Sequence, residues 1–560
     1  MGQPITKIAI VGGGTAGWIV AAYLNHRLQW GITARPDVHL TVVESPNTPT
    51  IGVGEATTPM LRATLRALDI SEDEFILRTD ATLKLGTRFK HWQSEDPRID
   101  DSFGHPFTGG GTLHGRNPGY SFIHYGLPGR PAMPGSAFLG TISHSFDVIE
   151  AAKAPRRLDG PEFHGEVRYA YHLDAGKFAT FLKEICLARG VTYRADEVLE
   201  AKRDARGHIT DLQLEKSGAL PVELVIDCTG FQGIVINRIL KEPFVSYADY
   251  LPNDRALAVQ VERPESNRIE PVTVSTALRA GWCWRVPLYS RDGTGYVYSS
   301  AFSSDSAAED ELASHLAGAT QLTTPRMLKM RIGRSQRSWV GNCIAIGLSS
   351  GFLEPLESTG ILSIELASRC LLQNFPTTEF EDSLRNQFNG AMARAYDEIR
   401  DFISLHFSLN GRHDSPYWQA ARHEAKISDN LSELRELWKH TMPSAWDPRT
   451  RLIFGNWSIQ CILFGKDFYR DAGIHSIEIV HSDIWRRYCA HISAARRSLL
   501  SRLPDHLALV EAIRARASHG ASVAKRPRGQ DFTIDSDSTA SLSNIMSPMP
   551  STVVDIGAAG

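Results

Sequence analysis

The 560-residue chain has almost no charge imbalance: 60 Lys and Arg stand against 63 Asp and Glu, a net charge of −3. No basic block is dense enough to neutralise a run of phosphates, which argues against nucleic acid as a partner. Missing too is the ~20-residue apolar run that a membrane-spanning helix needs. The seven cysteines are odd in number, scattered and never in Cys-x-x-Cys spacing. Neither a disulfide framework nor a thiolate metal site is expected from them, and the setting reads as reducing and cytoplasmic. The first apolar run, Ile8-Ala-Ile-Val11, is too short for a signal h-region and leads straight into glycines, as a strand does. Met1-Gly2-Gln-Pro-Ile-Thr6 meets the loose myristoylation pattern, yet Gly2 stands just ahead of that buried-looking strand, which argues against lipidation. Internal repeats are absent.

What is present can build a large core: 42% of the residues are hydrophobic, and the length alone suggests about three to four domains. The opening reads as a βαβ unit, with a strand at Lys7 to Val11, a glycine turn, a helix through Trp18 to Leu24 and a strand at His39 to Val43. Thr58-Pro59 reads as a cap and an N1 proline, and Ser71-Glu-Asp-Glu74 as a capping box, so two helices lead into Lys84. Residues 93 to 135 are rich in Gly, Pro, Asp and His and read as long loops. Strand-like runs follow at Val191 to Tyr193, Leu224 to Asp227, Leu257 to Val261 and Ile344 to Ile346. Beyond Ile361 the pattern turns helical, through Ile364 to Leu372, Asp382 to Leu405 and Ile477 to Leu500. From about Ser518 the composition shifts to Ser, Thr, Gly, Pro and Asp, too poor in apolar residues to offset ordering entropy, so 518 to 560 reads as a disordered tail.

Four motifs carry chemistry. Gly12-Gly-Gly14-Thr15-Ala16-Gly17 satisfies G-x-G-x-x-G between a strand and a helix, where backbone N–H groups at a helix N-terminus can face a pyrophosphate. Glu44 ends the second strand, where a carboxylate can accept both ribose hydroxyls. It comes later than the usual ~20 positions, a difference the insert Gly31 to Asp37 absorbs. Gly281-Trp-Cys-Trp-Arg-Val-Pro287 sets Trp282 and Trp284 on one side of a strand by its period of two, where they can wall a cavity or simply pack a sheet. Lys84 lies in Lys84-Leu-Gly-Thr-Arg-Phe-Lys-His-Trp92. Glu357 lies in Glu354-Pro-Leu-Glu-Ser-Thr-Gly360, just before an apolar helix that Ser358 or Thr359 would cap. The N–H groups of Thr359 and Gly360 then stand at the positive helix end, a ready place for a small anion.

Together these motifs resemble the flavin-dependent halogenases, the tryptophan halogenase family, over roughly residues 5 to 510. The resemblance implies an α/β chain with a glutathione-reductase-like FAD-binding fold, a Rossmann-type βαβ with additional sheet, plus a mainly helical second lobe. Val225-Ile-Asp-Cys-Thr-Gly230 and Asn342-Cys-Ile-Ala-Ile-Gly-Leu348 look like later flavin-contact segments of that fold. The implied division is an FAD-binding domain over 1–365 with substrate-side inserts near 60–150 and 240–275, a helical lobe over 366–517 completing the substrate site, and the tail.

By the same resemblance FAD, used as FADH2, lies against Gly12, Gly14, Thr15, Ala16, Gly17, Glu44, Val198, Leu348 and Ile361, and no metal takes part. Chloride or bromide sits at Thr359 and Gly360. Oxygen and reduced flavin oxidise the halide to hypohalous acid, which reaches Lys84. There the ammonium donates a hydrogen bond to the oxidant or the amine forms a haloamine, while Glu357 polarises it or takes the arene's proton. Trp282 and Trp284 keep the substrate from the flavin, and His105 and Phe107 stack on the substrate ring.

Members acting on free tryptophan hold its ammonium and carboxylate with tyrosines and a glutamate. Thr441 to Trp446 through Ile453 to Trp457 offers neither, so a bare indole, another electron-rich arene, or a larger or carrier-tethered one is expected instead. A separate NAD(P)H-dependent flavin reductase would supply FADH2, since no second nicotinamide fingerprint occurs. Nothing in the sequence excludes a homodimer. Two other readings remain open: a flavin monooxygenase that hydroxylates its substrate directly, and a non-catalytic FAD-binding protein whose helical lobe binds a partner.

Overall fold

Lys7–Val11 is a central strand of a six-stranded sheet, because its apolar residues are buried on both faces, as a parallel strand between helices requires. The computed structural model describes residues 2–30, 35, 37–47, 54–96, 98–113, 115–128, 134–263, 268–444, 446–447, 452–470 and 474–520. In that sheet Lys7–Val11 pairs in parallel with His39–Glu44 on one side and Leu224–Asp227 on the other. Thr192–Ala195 and Cys343–Ala345 extend it in parallel, and Trp339–Val340 closes one edge antiparallel. The helix Thr15–Asn25 follows the glycine turn and is buried almost throughout. This is the mixed α/β, Rossmann-type arrangement expected.

A second, seven-stranded sheet stands beside the first, with Gly281–Pro287 near its middle between Arg291–Tyr298 and Val272–Leu278. Trp284 lies opposite Gly295, and a Cβ at Gly295 would come within 2.3 Å of the Trp284 ring. Glycine there is what leaves room for the indole. A small sheet of Gly54–Ala56, Ala170–Asp174 and Thr82–Lys84 delivers Lys84 to the interior. The helices Thr359–Gln373, Asp382–Ser408 and Asn456–Gly465 follow, and one apolar core runs from Ile5 to Ile513 through all these elements.

Several boundaries differ from expectation. Residues 93–135 are not all loop: they hold a strand at Phe103–Pro106, added to the seven-stranded sheet, and a helix at Pro118–Gly126 capped by Asn117. The turn-forming composition hid both, because tertiary pairing decides them. The last long helix starts at Ser482 rather than at 477, and Ile477 is exposed. Pro59 occupies the N-cap position itself, and the Thr58 hydroxyl is buried without a partner. Ser71 does cap, accepting from the Glu74 N–H at 3.3 Å. The helix His506–Gly520 reaches into the stretch read as tail, and 521–560 lie outside the described residues, as do Met1 and most of the Gly31 to Asp37 insert. None of the described helices is long and apolar enough to cross a membrane.

Candidate active site

One large cavity, about 550 Å³, opens along the C-terminal ends of the parallel strands, where open α/β sheets bind ligands. Gly12 to Ala16, Glu44, Val198, Leu348, Thr359, Gly360 and Ile361 all line it, together with Trp284 and Ser358. Gly17 does not; it serves the turn. A Cβ there would sit 1.8 Å from the Gly12 carbonyl oxygen. Gly12 has φ +111°, a conformation that L side chains rarely adopt, whereas the Cβ position of Gly14 meets nothing within 4 Å. The turn is thus an open cradle in front of a helix N-terminus, which fits a pyrophosphate. Glu44 is held by Lys183 at 2.9 Å and keeps its place beside that cradle.

At the other side of the cavity the helix Thr359–Gln373 begins. Ser358 is its N-cap residue, but its side chain does not cap: the backbone is left-handed, with φ 62° and ψ 36°. The hydroxyl instead accepts a hydrogen bond from Lys84 Nζ at 2.7 Å, and Nζ also donates to the Thr57 carbonyl at 3.2 Å. Lys84 is 1% exposed and does not line the cavity. Ser358 therefore stands between the cavity and the amine. Burial drives the Lys84 amine down to about 7, against the opposing pull of the Glu357 carboxylate. Phe107 is the neighbour on another side, with Nζ 5.2 Å from its ring centroid.

Glu357 is brought to the same place without bonding Lys84 directly. Its carboxylate takes His105 Nδ1 and His406 Nε2, each at 3.0 Å. Burial pushes this carboxyl up, but His105 and then His406 outweigh that and hold it at about 2. Burial holds His406 at about 4, so at neutral pH it is a neutral imidazole donating Nε2–H. Both nitrogens of His105 are engaged, the second with Ser458 Oγ at 2.9 Å, and the residue is buried. Of the His105 and Phe107 pair, only Phe107 approaches Lys84. Trp282 and Trp284 also part company: Trp284 lines the cavity, while the Trp282 indole N–H donates to buried Glu354 at 2.7 Å.

Sequence reasoning missed His406, Ser458 and Glu398. Glu398 accepts three successive backbone N–H groups, from Leu452, Ile453 and Phe454, at 2.6 to 2.9 Å. It fixes the segment entering the helix of Ser458, and Phe454 stacks on Phe402 at 3.8 Å. A lone histidine or glutamate inside a long amphipathic helix carries no signal of such partners.

Residues 7–477 match the family described as "Tryptophan halogenase". The chain is 39% identical over 454 residues to a protein named tryptophan 6-halogenase SttH from Streptomyces toxytricini, covering 78% of this chain and 85% of that one. It is 35% identical to tryptophan 7-halogenase RebH from Lentzea aerocolonigenes, covering 84% and 91%. Among solved structures it is similar to Tar14, a tryptophan C-6 flavin-dependent halogenase from taromycin biosynthesis, with TM-score 0.82, 35% identity, and coverage of 91% of this chain and 100% of that one.

Proposed function

The chain belongs to the tryptophan halogenase family and is a flavin-dependent halogenase, and from that premise we propose that it chlorinates or brominates an electron-rich aromatic carbon, of indole type or related, through Lys84. The observation that carries this reading is the Lys84 to Ser358 bond of 2.7 Å. It couples a buried amine to a residue on the cavity wall while keeping the amine out of the cavity. An oxidant formed on one side of Ser358 is met by the amine on the other. FAD would be held by the cradle Gly12 to Gly17 and by Glu44, Val198, Leu348 and Ile361, and halide by the N–H groups of Thr359 and Gly360. When bound, reduced flavin supplies the electrons that activate oxygen for halide oxidation.

Lys84 then donates to the oxidant or carries the halogen, and Glu357, kept ionised by two histidine N–H donors, polarises the amine or accepts the proton the arene loses. Trp284 separates the flavin chamber from the substrate. Phe107 would meet the arene's face, and His105 would hold Glu357. Free tryptophan is disfavoured by the absence of tyrosine and glutamate over 441 to 457; a small aromatic or a carrier-tethered one is the substrate class. A separate flavin reductase would deliver FADH2. The residues up to 365 would form the FAD-binding unit, and those from 366 to 517 would complete the substrate side.

The test is incubation with a flavin reductase, NADH, oxygen, bromide or chloride and a panel of indoles, read by mass spectrometry. Halogenated product is expected. Oxygenated product without halogen would identify a hydroxylase, and oxygen consumption with no product from any arene would leave a non-catalytic flavoprotein. Gly17→Ala is a companion prediction: with the new Cβ 1.8 Å from Gly12 oxygen, the turn must open. FAD affinity should fall at least about tenfold, with a stability loss of about 1–3 kcal/mol, checked by flavin titration and thermal unfolding. Wild-type affinity in this variant would remove the pyrophosphate from the turn.

A further inference from the structure

Of the two indoles on Gly281–Pro287, Trp284 lines the cavity and Trp282 is buried beside it, their ring centroids 6.3 Å apart. A buried indole N–H needs an acceptor, and Trp282 finds it in Glu354 Oε2 at 2.7 Å. The same oxygen accepts from Asn253 Nδ2 at 2.8 Å, and Asn253 Oδ1 in turn accepts from the Tyr417 hydroxyl at 3.0 Å. All four residues are buried. Oε1 of Glu354 has no partner among the described residues. A carboxyl out of water with only two neutral N–H donors on one of its oxygens is costly, so packing alone would favour an apolar side chain here.

Glu354 opens the segment that carries the reaction. Its neighbours Leu353 and Pro355 line the cavity while Glu354 does not, so its side chain leaves on the opposite face. Three residues on is Glu357, held by His105 and His406 at 3.0 Å each. Ser358 follows, with the Lys84 bond, and then Thr359 and Gly360 on the cavity wall. Between the two glutamates the chain makes a tight turn, Pro355–Glu357, closed by the Ser358 N–H donating to the Pro355 carbonyl at 3.2 Å. The turn ends on Ser358 in left-handed backbone, φ 62°. A side chain held in that conformation persists only where its surroundings over-determine it. Glu357 ties the end of the turn to two histidines, and Glu354 ties its start to Trp282 near the middle of the seven-stranded sheet.

We propose that Trp282 and Glu354 are a positioning pair that sets the halide end of the cavity: the indole N–H fixes Glu354, Glu354 fixes the start of the turn, and the turn presents the Thr359 and Gly360 N–H groups to the anion. The inference rests on the reading that halide binds at those N–H groups. Trp282 thereby acts through a hydrogen bond rather than as a second barrier beside Trp284.

The tie survives protonation. Burial pushes the Glu354 carboxyl up to about 7, against Trp282 and Asn253, which favour the ionised form. A proton taken up goes to Oε1, where no donor sits, and Oε2 goes on accepting both N–H groups. Glutamine reproduces that neutral acid, with its carbonyl oxygen on the two donors and its NH2 in the Oε1 place. Phenylalanine at position 282 keeps an aromatic ring and loses the N–H. With the tie cut, the turn spends only part of its time in the competent arrangement. The apparent halide constant then rises by the inverse of that fraction, while saturating halide returns the full rate. A merely structural loss lowers stability without this split.

Halogenation is measured against bromide concentration, with a flavin reductase, NADH, oxygen and an indole, in the wild type, Trp282→Phe, Glu354→Gln and Glu354→Leu, alongside thermal unfolding. The bromide KM should rise about tenfold in Trp282→Phe and in Glu354→Leu, the effect of about one lost buried hydrogen bond. In Glu354→Gln it should stay within about twofold of the wild type, and kcat at saturating bromide should do so in every variant. Combining Trp282→Phe with Glu354→Leu should raise KM no further than Glu354→Leu alone, because the indole N–H then has no acceptor left to lose. An unchanged KM in Trp282→Phe, a KM in Glu354→Gln raised as far as in Trp282→Phe, or a loss of kcat that bromide does not restore overturns the inference. Should Glu354→Leu fail to fold, Trp282→Phe and Glu354→Gln decide alone. A wild type that gives no halogenated indole at any bromide concentration overturns the functional reading, and the inference with it.

Discussion

Replacing Lys84 by alanine is expected to lower halogenation by about 10²- to 10⁴-fold while oxygen continues to oxidise reduced flavin at an undiminished rate. On the proposed reading flavin oxidation would belong to the cavity, which Lys84 does not line, and halogen transfer to the amine behind Ser358. Product is followed by mass spectrometry and flavin by absorbance in the same reaction. Lys84→Met, which keeps most of the volume, should behave alike, so that loss of the amine is separated from loss of packing. Full halogenation in both variants would take the oxidant elsewhere.

The pH dependence then separates the two roles of the amine. With its pKa brought down to about 7 by burial, Lys84 is mainly ammonium below that pH and mainly amine above it. A hydrogen-bond donor loses rate as pH rises through about 7, whereas an amine that must take up halogen gains rate over the same range. Donation to the Thr57 carbonyl and to Ser358 Oγ uses two N–H groups, so the ammonium keeps a third for the oxidant, whereas the neutral amine has none left over. A falling profile is expected for the halogenation step at saturating halide, and a rising one would assign the haloamine.

Local elements of this molecule were legible because their causes are local. The strand, glycine turn and helix from Lys7 to Asn25 follow from alternation, backbone freedom and periodicity within a few residues. Glu44 and the start of the helix at Thr359 follow in the same way. Lys84, by contrast, has nothing nearby in sequence to mark it as more than an ordinary lysine. Its acceptor is 274 positions away, and only resemblance to a family brought the two motifs together. Of the two cap candidates, Ser358 takes the N-cap position but its side chain does not cap: the backbone there is left-handed and the hydroxyl accepts from Lys84 instead. His406 sits on the buried face of Asp382–Ser408 among Phe402, Ile403 and Phe407, where the pattern spells core and the ion partner is invisible.

Glu357→Gln is the second large effect, about 10²-fold on halogenation, and it carries a direction that a merely structural role would not. The carboxylate accepts from two histidines, so an amide in its place must turn its oxygen to one and its NH2 to the other. His105 can adapt: moving its proton to Nε2 leaves Nδ1 free to accept, with Ser458 Oγ at 2.9 Å taking the new N–H. His406 cannot do so cheaply, because its Nδ1 is buried without a partner, and a proton there would leave an unpaired donor costing about 1–3 kcal/mol. The amide oxygen therefore stays with His406 and the NH2 goes to His105, preserving the site's shape while deleting its charge. The Glu357 charge is what holds the Lys84 pKa up against burial, so without it that pKa falls further below 7. The pH midpoint of the residual halogenation should move to lower pH than in the wild type. A midpoint that stays in place or moves upward would mean that the carboxylate acts only on the arene's proton and not on the amine.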